Sequence, residues 1–237
     1  MGSLLPRKGD IGRVRLISAV IARDEGGPDR YLRRVLQNLR AVSDFVLLVD
    51  DGSEDDTGCI AQEEGAWVVR REGEPMWGQE SAARSFLWDQ AVGVARDHQA
   101  WVLFADADME LSADPRPLCA TEWHNAWAWR LYDQWGPNVY RADPPWQGHV
   151  HPRVWMVNPF RVPADWQPGW IAKGIHCGHI PPNFPFNAAI APEQFFWTHF
   201  GYAKPEHRAK KREQYLSQAH QLTDAERRHA ESITDGD

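Results

Sequence analysis

Acidic residues punctuate the first half of the sequence at Asp24-Glu25, Asp50-Asp51 and Asp106-Ala107-Asp108. Each group follows an apolar run. Carboxylates that converge on one edge repel one another, so a close pair must either raise a pKa or find a cation. A hard divalent ion, Mn2+ or Mg2+, is the simplest partner, because such ions prefer carboxylate oxygen. In an extended segment residues i and i+2 point the same way, so Asp106 and Asp108 can address the same metal or diphosphate. A lone DxD tripeptide is commonly a solvated loop. An apolar strand ending directly in DAD, downstream of one ending in DDGS, is a far more specific pattern.

The apolar spacing supplies the elements that would carry these acids. Residues 14–22 (VRLISAVIA) read as a strand buried on both faces. Asp29 can cap a helix whose apolar positions are Tyr31, Leu32, Val35, Leu36 and Leu39. Residues 45–49 form a second strand, and Ser53 with Asp56 reads as a capping box that opens a helix to about Glu64. A short strand at 66–69, a helix at 80–96 and a strand at 101–105 follow. Alternation with short links implies an α/β fold with a mostly parallel sheet, flanked by helices and joined by right-handed crossovers. Ligands of such sheets bind outside the carboxyl ends of the strands, where all three acidic groups fall.

The second half reads differently. Nine of the 13 Trp lie between Trp123 and Trp197, and 13 of the 17 Pro between Pro115 and Pro192. So much proline excludes a mostly helical segment, and so much aromatic surface excludes a disordered one. The expectation is irregular loops and short strands wrapped on the regular half, with some Trp faces lining a binding surface. The chain is read as one domain, residues 1–237, with a regular half at 12–112, an aromatic, Pro-rich region at 113–203, and a C-terminal helix and tail at 204–237.

At 43% hydrophobic and 25% charged, the 237 residues have a globular composition. The net charge of −7 disfavours bulk nucleic-acid binding and an anionic membrane surface. Cys59, Cys119 and Cys177 are odd in number and far apart, which excludes a disulfide framework. His149-Val150-His151 and His176-Cys177-Gly178-His179 have zinc-like spacing, but no second short-spaced Cys pair completes a site. Pure apolar runs reach about five residues, far below the roughly 20 of a membrane span. With no apolar leader segment, the location is expected to be cytoplasmic.

The segments VLLVDDGSEDDT, SAARSFLWDQAV and WVLFADADMEL resemble the family-2 glycosyltransferases with the GT-A fold, whose patterns are DDGSxDxT, a helix beginning near ARN, and a strand ending in DxD. The likeness covers residues 14–111, with a weaker echo in WTHFGYAKPEHRAKKREQYL at 197–216. It implies a GT-A-like fold in which 12–112 bind the nucleotide-sugar and 113–203 form the aromatic, Pro-rich acceptor region, with transfer of a sugar from a UDP- or GDP-sugar to a hydroxyl acceptor, Mn2+ or Mg2+, and inversion at the sugar. The acceptor would be a glycan, a protein or a modified nucleobase. By this resemblance Ile21, Arg23 and Asp24 embrace the donor base and ribose, although the Asn usual in that loop is absent, which leaves the base open. Asp51 reads the base, while Asp50 does turn and cap work. Arg84 lies by the phosphates, with Ser85 in place of the motif's Asn. Asp106 and Ala107 approach the ribose and metal, Asp108 coordinates metal, and His199 is a further ligand. Lys204 and Arg208, with Lys211 on the same helix face, would neutralise the diphosphate; a solvated helix partnered by Glu206 and Glu213 is the plainer alternative. For the base that accepts the acceptor's proton, the candidates are Asp133, Glu193 and His176; the Glu of one subgroup's His-Glu pair is replaced by Cys177. Retention of configuration, a sugar-nucleotide nucleotidyltransferase and a non-catalytic carbohydrate-binding protein stand as alternatives.

Overall fold

The structure is a computed structural model that describes residues 15–235 apart from 74, 77–78, 148–149, 172–176, 219 and 221. Its first half alternates as the apolar pattern requires: β1 (Leu16–Ala22), α1 (Leu32–Val42), β2 (Phe45–Asp50), α2 (Thr57–Glu63), β3 (Trp67–Arg70), α3 (Glu80–Ala95) and β4 (Trp101–Asp106). β1 has no polar face because it is covered twice. Its Leu16, Val20 and Ala22 pack with Leu32, Val35, Leu36 and Leu39 of α1. Its Ile17, Ala19 and Ile21 pack with Ala83, Leu87 and Ala91 of α3. Successive side chains of a strand alternate between faces, so a strand between two helical layers is apolar on both; Ser18 is the one polar side chain of β1 and is fully buried.

Two helix starts differ from the sequence expectation. Tyr31, not Asp29, occupies the N-cap of α1, and Asp29 pairs with Lys204 at 2.8 Å instead. α2 starts after Asp56 without a capping box. Asp55 Oδ1 accepts the Thr57 amide at 2.9 Å, while the Ser53 hydroxyl is drawn to the preceding loop.

The second half continues the same sheet. β5 (Met109–Leu111), β6 (Ala126–Gly136), β7 (Val139–Tyr140), β8 (Arg153–Val157), β9 (Ala188–Ile190) and β10 (Phe196–His199) precede α4 (Pro205–Ser217) and α5 (Asp224–Glu231). The sheet is mixed, with parallel pairing predominant, in the order β3-β2-β1-β4-β8-β6-β10-β5; β7 and β9 also pair with β6. β1 to β4 are mutually parallel, and β8 turns the direction by pairing antiparallel with both β4 and β6. The 11-residue β6 is the longest strand, which corrects the expectation of short strands and loops alone. Most of its aromatic neighbours are core: Trp129, Trp155 and Trp197 are buried together, while Trp123 stands 81% exposed. Among the described residues the C-terminal region holds two α-helices, not one. Thr223 and Glu226 form a reciprocal capping box at α5, and Trp146, Tyr202, Tyr215 and Ile233 pack between the helices and the loop that precedes β8. Among the described residues no helix is long and apolar enough to cross a membrane.

Candidate functional site

Strand register brings the acids to one edge. Asp106 lies opposite Ile21 across the β1–β4 pair, and Asp50 opposite Ala22 across β1–β2. The later strands add to that edge. In β10, His199 is paired with Asp133 of β6 on one side and with Met109 of β5, next to Asp108, on the other. Backbone pairing alone therefore sets His199 between two carboxylates.

The side chains close the contact. His199 Nδ1 lies 2.7 Å from Asp133 Oδ1, and Nε2 lies 3.2 Å from Asp108 Oδ2. Lys211 of α4 donates from Nζ to the same Asp108 oxygen at 3.2 Å and sits 3.4 Å from His199 Nε2. Burial opposes the charge on Asp108, but Lys211 and His199 outweigh it and hold the carboxyl well below its usual range. Burial likewise opposes protonation of His199, yet Asp108 and the bond to Asp133 push it up to about 9. Asp106 points elsewhere. Its Oδ1 accepts from Arg84 Nη2 at 2.8 Å and lies 2.9 Å from His179 Nε2. Against the effect of burial, His179 and Arg84 hold its carboxyl well below the usual range. Arg84 is in turn held by Glu80, one turn earlier on α3, at 3.2 Å, and the other Glu80 oxygen accepts the Cys177 amide at 3.1 Å.

Gly201 completes the enclosure. A Cβ there would stand 2.0 Å from Lys211 Nζ and 2.6 Å from both Asp108 Oδ2 and His199 Nε2. Only glycine lets the chain pass this close.

The loops after β1 and β2 are laced together at the same edge. The Asp24 amide donates to Ser53 Oγ at 3.1 Å, and the Glu54 amide to Asp24 Oδ1 at 2.9 Å. The Glu25 and Gly26 amides donate to Thr57 Oγ1 and Asp55 Oδ2 at 2.8 and 2.7 Å. Arg23 Nη1 reaches the Asp51 carbonyl at 2.7 Å. The buried Asp51 carboxylate accepts from the Met76 amide at 2.6 Å and from Arg71 Nε at 2.5 Å. Asp50 accepts the Ser53 amide at 2.8 Å and Arg70 at 3.0 Å, the turn work expected of it.

Several sequence candidates are placed away from the cluster. Glu193 is exposed in the turn before β10, at the strand end opposite His199, so no shared edge links it to Asp108. Asp133 is in the cluster, where its Oδ1 serves the imidazole of His199. Lys204 turns to Asp29. Arg208 is buried, donating to the carbonyls of Trp135 and Tyr202 at 3.0 and 2.8 Å, so it is a packing clamp and Lys211 is the helix cation that reaches the acids. Ile21 and Ala107 are buried in the strand and turn that carry the acids. His176 and His149 lie outside the described residues. Glu80, Arg71 and Gly201 escaped the sequence reading, and His179 entered it only through its zinc-like spacing. Only the Glu80–Arg84 pair left a local signal, its four-residue spacing on a helix.

The donor set suits a hard divalent ion in part. Asp108 and His199 offer an oxygen and a nitrogen at one point, and Asp133 on the far ring nitrogen is the arrangement that orients a metal-binding imidazole. Among the described residues, however, no three His, Cys, Asp or Glu side chains form a ready metal cage. Two protein donors fit an ion that keeps its waters and takes ligand phosphate oxygens, as Mg2+ does. A cavity of about 430 Å³ lined by Arg15, Trp101, Cys119 and Arg161 opens at the opposite ends of β1 and β4 and shares no residue with this cluster.

Glu25, 3.5 Å from Arg30, has a raised carboxyl pKa in spite of that partner. Burial, then the charge of Asp108, push it up from 4.5 to about 7. A carboxyl with a raised folded pKa stabilises the fold fully below its unfolded pKa and loses that contribution as pH rises through the folded value. Wild-type stability should therefore fall, relative to Glu25→Gln, between pH 4.5 and about 7, by at most about 3 kcal/mol. Urea denaturation of both proteins across that range checks it; parallel profiles would refute it.

No family model and no curated protein sequence matches the chain. Among solved structures, it is similar to glucosyl-3-phosphoglycerate synthase from Mycobacterium tuberculosis. With the complex of that enzyme with Mn2+, uridine-diphosphate-glucose and phosphoglyceric acid, it shares 21% identity at a TM-score of 0.37, covering 53% of this chain and 45% of that one. With the complex containing Mg2+ and uridine diphosphate, the values are 20% identity and 0.36, covering 51% and 44%. The chain thus matches less than half the length of this distant structural relative, whose complexes hold Mn2+ or Mg2+ with uridine diphosphate or its glucose conjugate.

Proposed function

We propose that the chain is a GT-A-like glycosyltransferase that uses the carboxyl edge of its sheet to take a sugar from a UDP- or GDP-sugar and pass it to a hydroxyl acceptor. One observation carries this reading: two ionised aspartates at the end of β4 each meet basic side chains, Asp106 those of Arg84 and His179, and Asp108 those of Lys211 and His199. Alternating charges preset at a strand end suit a diphosphate and its counter-ions. The motif resemblance in DDGS and DAD supports the same assignment.

In this mechanism Asp108 and His199 would hold Mn2+ or Mg2+, and the ion would neutralise charge on the diphosphate. Asp133 keeps the His199 ring in place. Arg84, fixed by Glu80, and Lys211 supply positive charge where the departing diphosphate gains negative charge, and preset charges of this kind favour the transition state over the ground state. The interlaced β1 and β2 loops, with Asp51 held between Arg71 and the Met76 amide, form the wall against which a nucleoside would rest.

The test is thermal denaturation of wild type and Asp108→Asn with UDP, GDP, CDP or TDP, each with Mn2+ or with EDTA. A nucleotide at about 100 times its Kd adds roughly 2.7 kcal/mol to stability. A melting-temperature rise with one nucleotide, lost with EDTA and in Asp108→Asn, is the expected result. Absence of a rise with every nucleotide would overturn the donor-site reading.

A further inference from the structure

The Asp108–His199 point already has a cation. Lys211 Nζ lies 3.2 Å from Asp108 Oδ2 and 3.4 Å from His199 Nε2, and the third side of the ammonium faces the Tyr202 ring at 4.6 Å. Gly201 closes the fourth side so tightly that a single added carbon would collide with all three polar atoms. There is no room for a divalent ion between Asp108 and His199 while the ammonium is present, and two like charges at that separation repel.

We propose that Lys211 is a resident counter-cation that competes with the divalent metal for the Asp108–His199 point, so the free chain is built to bind metal weakly until a diphosphate draws the ammonium away. This rests on the metal role given to Asp108 and His199 above and adds the order of events: the anionic ligand and the metal enter together. Lys211 can make that exchange because it sits on a flexible four-carbon stem, whereas His199 is fixed by strand pairing and the Asp108 backbone is tied by its carbonyl to the Phe200 amide at 2.8 Å. The carbon stem need not unfold anything to release its charged end.

The experiment is Mn2+ titration of the nucleotide-free full chain, followed by the electron paramagnetic resonance signal of free aqueous Mn2+. Lys211→Met and Lys211→Gln are both measured, so that one folded variant suffices, with Lys211→Arg as the variant that keeps the charge. Melting curves establish which variants are folded. The expected result is Mn2+ binding at least tenfold tighter in the Met and Gln variants than in wild type, and no tightening in Lys211→Arg. Unchanged or weaker Mn2+ binding in a folded Met or Gln variant overturns the proposal, as does the absence of Mn2+ binding by any variant. UDP and GDP binding, read by calorimetry on the same proteins, separates the two readings. A chain that binds nucleotide without the Lys211 effect loses only this inference. One that shows the effect and binds no nucleotide loses only the donor-site reading.

Discussion

Gly201→Ala should eliminate divalent-metal binding and the nucleotide-dependent rise in melting temperature, while the chain still folds. The added methyl would lie 2.0 Å from Lys211 Nζ, and that contact is relieved cheaply, because the end of a lysine can move. The contacts of 2.6 Å to Asp108 Oδ2 and His199 Nε2 are different. His199 is pinned in β10 between β5 and β6 and tied through Nδ1 to Asp133, and Asp108 stands directly before β5. The methyl group would therefore occupy the point on which the two donors converge. The stability cost should be that of overpacking, about 1–3 kcal/mol, so loss of binding far exceeds loss of fold. Mn2+ titration and urea denaturation of the same preparation measure both quantities. Wild-type Mn2+ affinity in Gly201→Ala would refute this account of the site.

Trp197→Ala should cost about 3–5 kcal/mol of folding stability, the range for deleting a buried aromatic. Trp197 is fully buried in the strand that carries His199, against Trp129 and Trp155 at ring distances of 6.4 and 6.0 Å. Neither neighbour can fill the gap without moving its own strand, so a cavity remains beneath the functional edge. Trp197→Phe should lose much less than the alanine variant. It keeps most of the aromatic surface and removes an indole N–H that has no hydrogen-bond partner among the described residues. Chemical denaturation gives both values, and an alanine variant within about 1 kcal/mol of wild type would show that the layer does not depend on this ring.

The parts legible in the sequence are those governed by local pattern. β1, β2 and β4 announce themselves as apolar runs, and α1 and α3 as periodic ones, because burial between two helical layers leaves no alternative composition. The acids at the strand ends follow from the same reading. What stayed hidden depends on distant pairing. His199 and Asp133 are 66 residues apart, and Lys211 and Asp108 are 103 apart, so only the β6–β10–β5 register brings them together. Proline-rich flanks disguised β6, whose neighbours β8, β9 and β10 all come from later in the chain. On α4, Arg208 and Lys211 are three residues apart and chemically alike, yet one donates to backbone carbonyls and the other to Asp108. No spacing rule separates them, because the difference lies in what the helix packs against. Asp29 and Ser53 looked like caps because their residue types favour capping, and each pairs instead with a group distant in sequence, Asp29 with Lys204 and Ser53 with the Asp24 amide.

The lacing of the β1 and β2 loops bears on how a ligand would be received. Amides of one loop end on side chains of the other in both directions, so neither loop can open alone without leaving polar groups unpaired. The two behave as one body, and the entropy of ordering them is lost during folding, not when a ligand arrives. A molecule settling against this wall would meet a preorganised surface, and adaptation would fall to the side chains that can swing, Lys211 first among them.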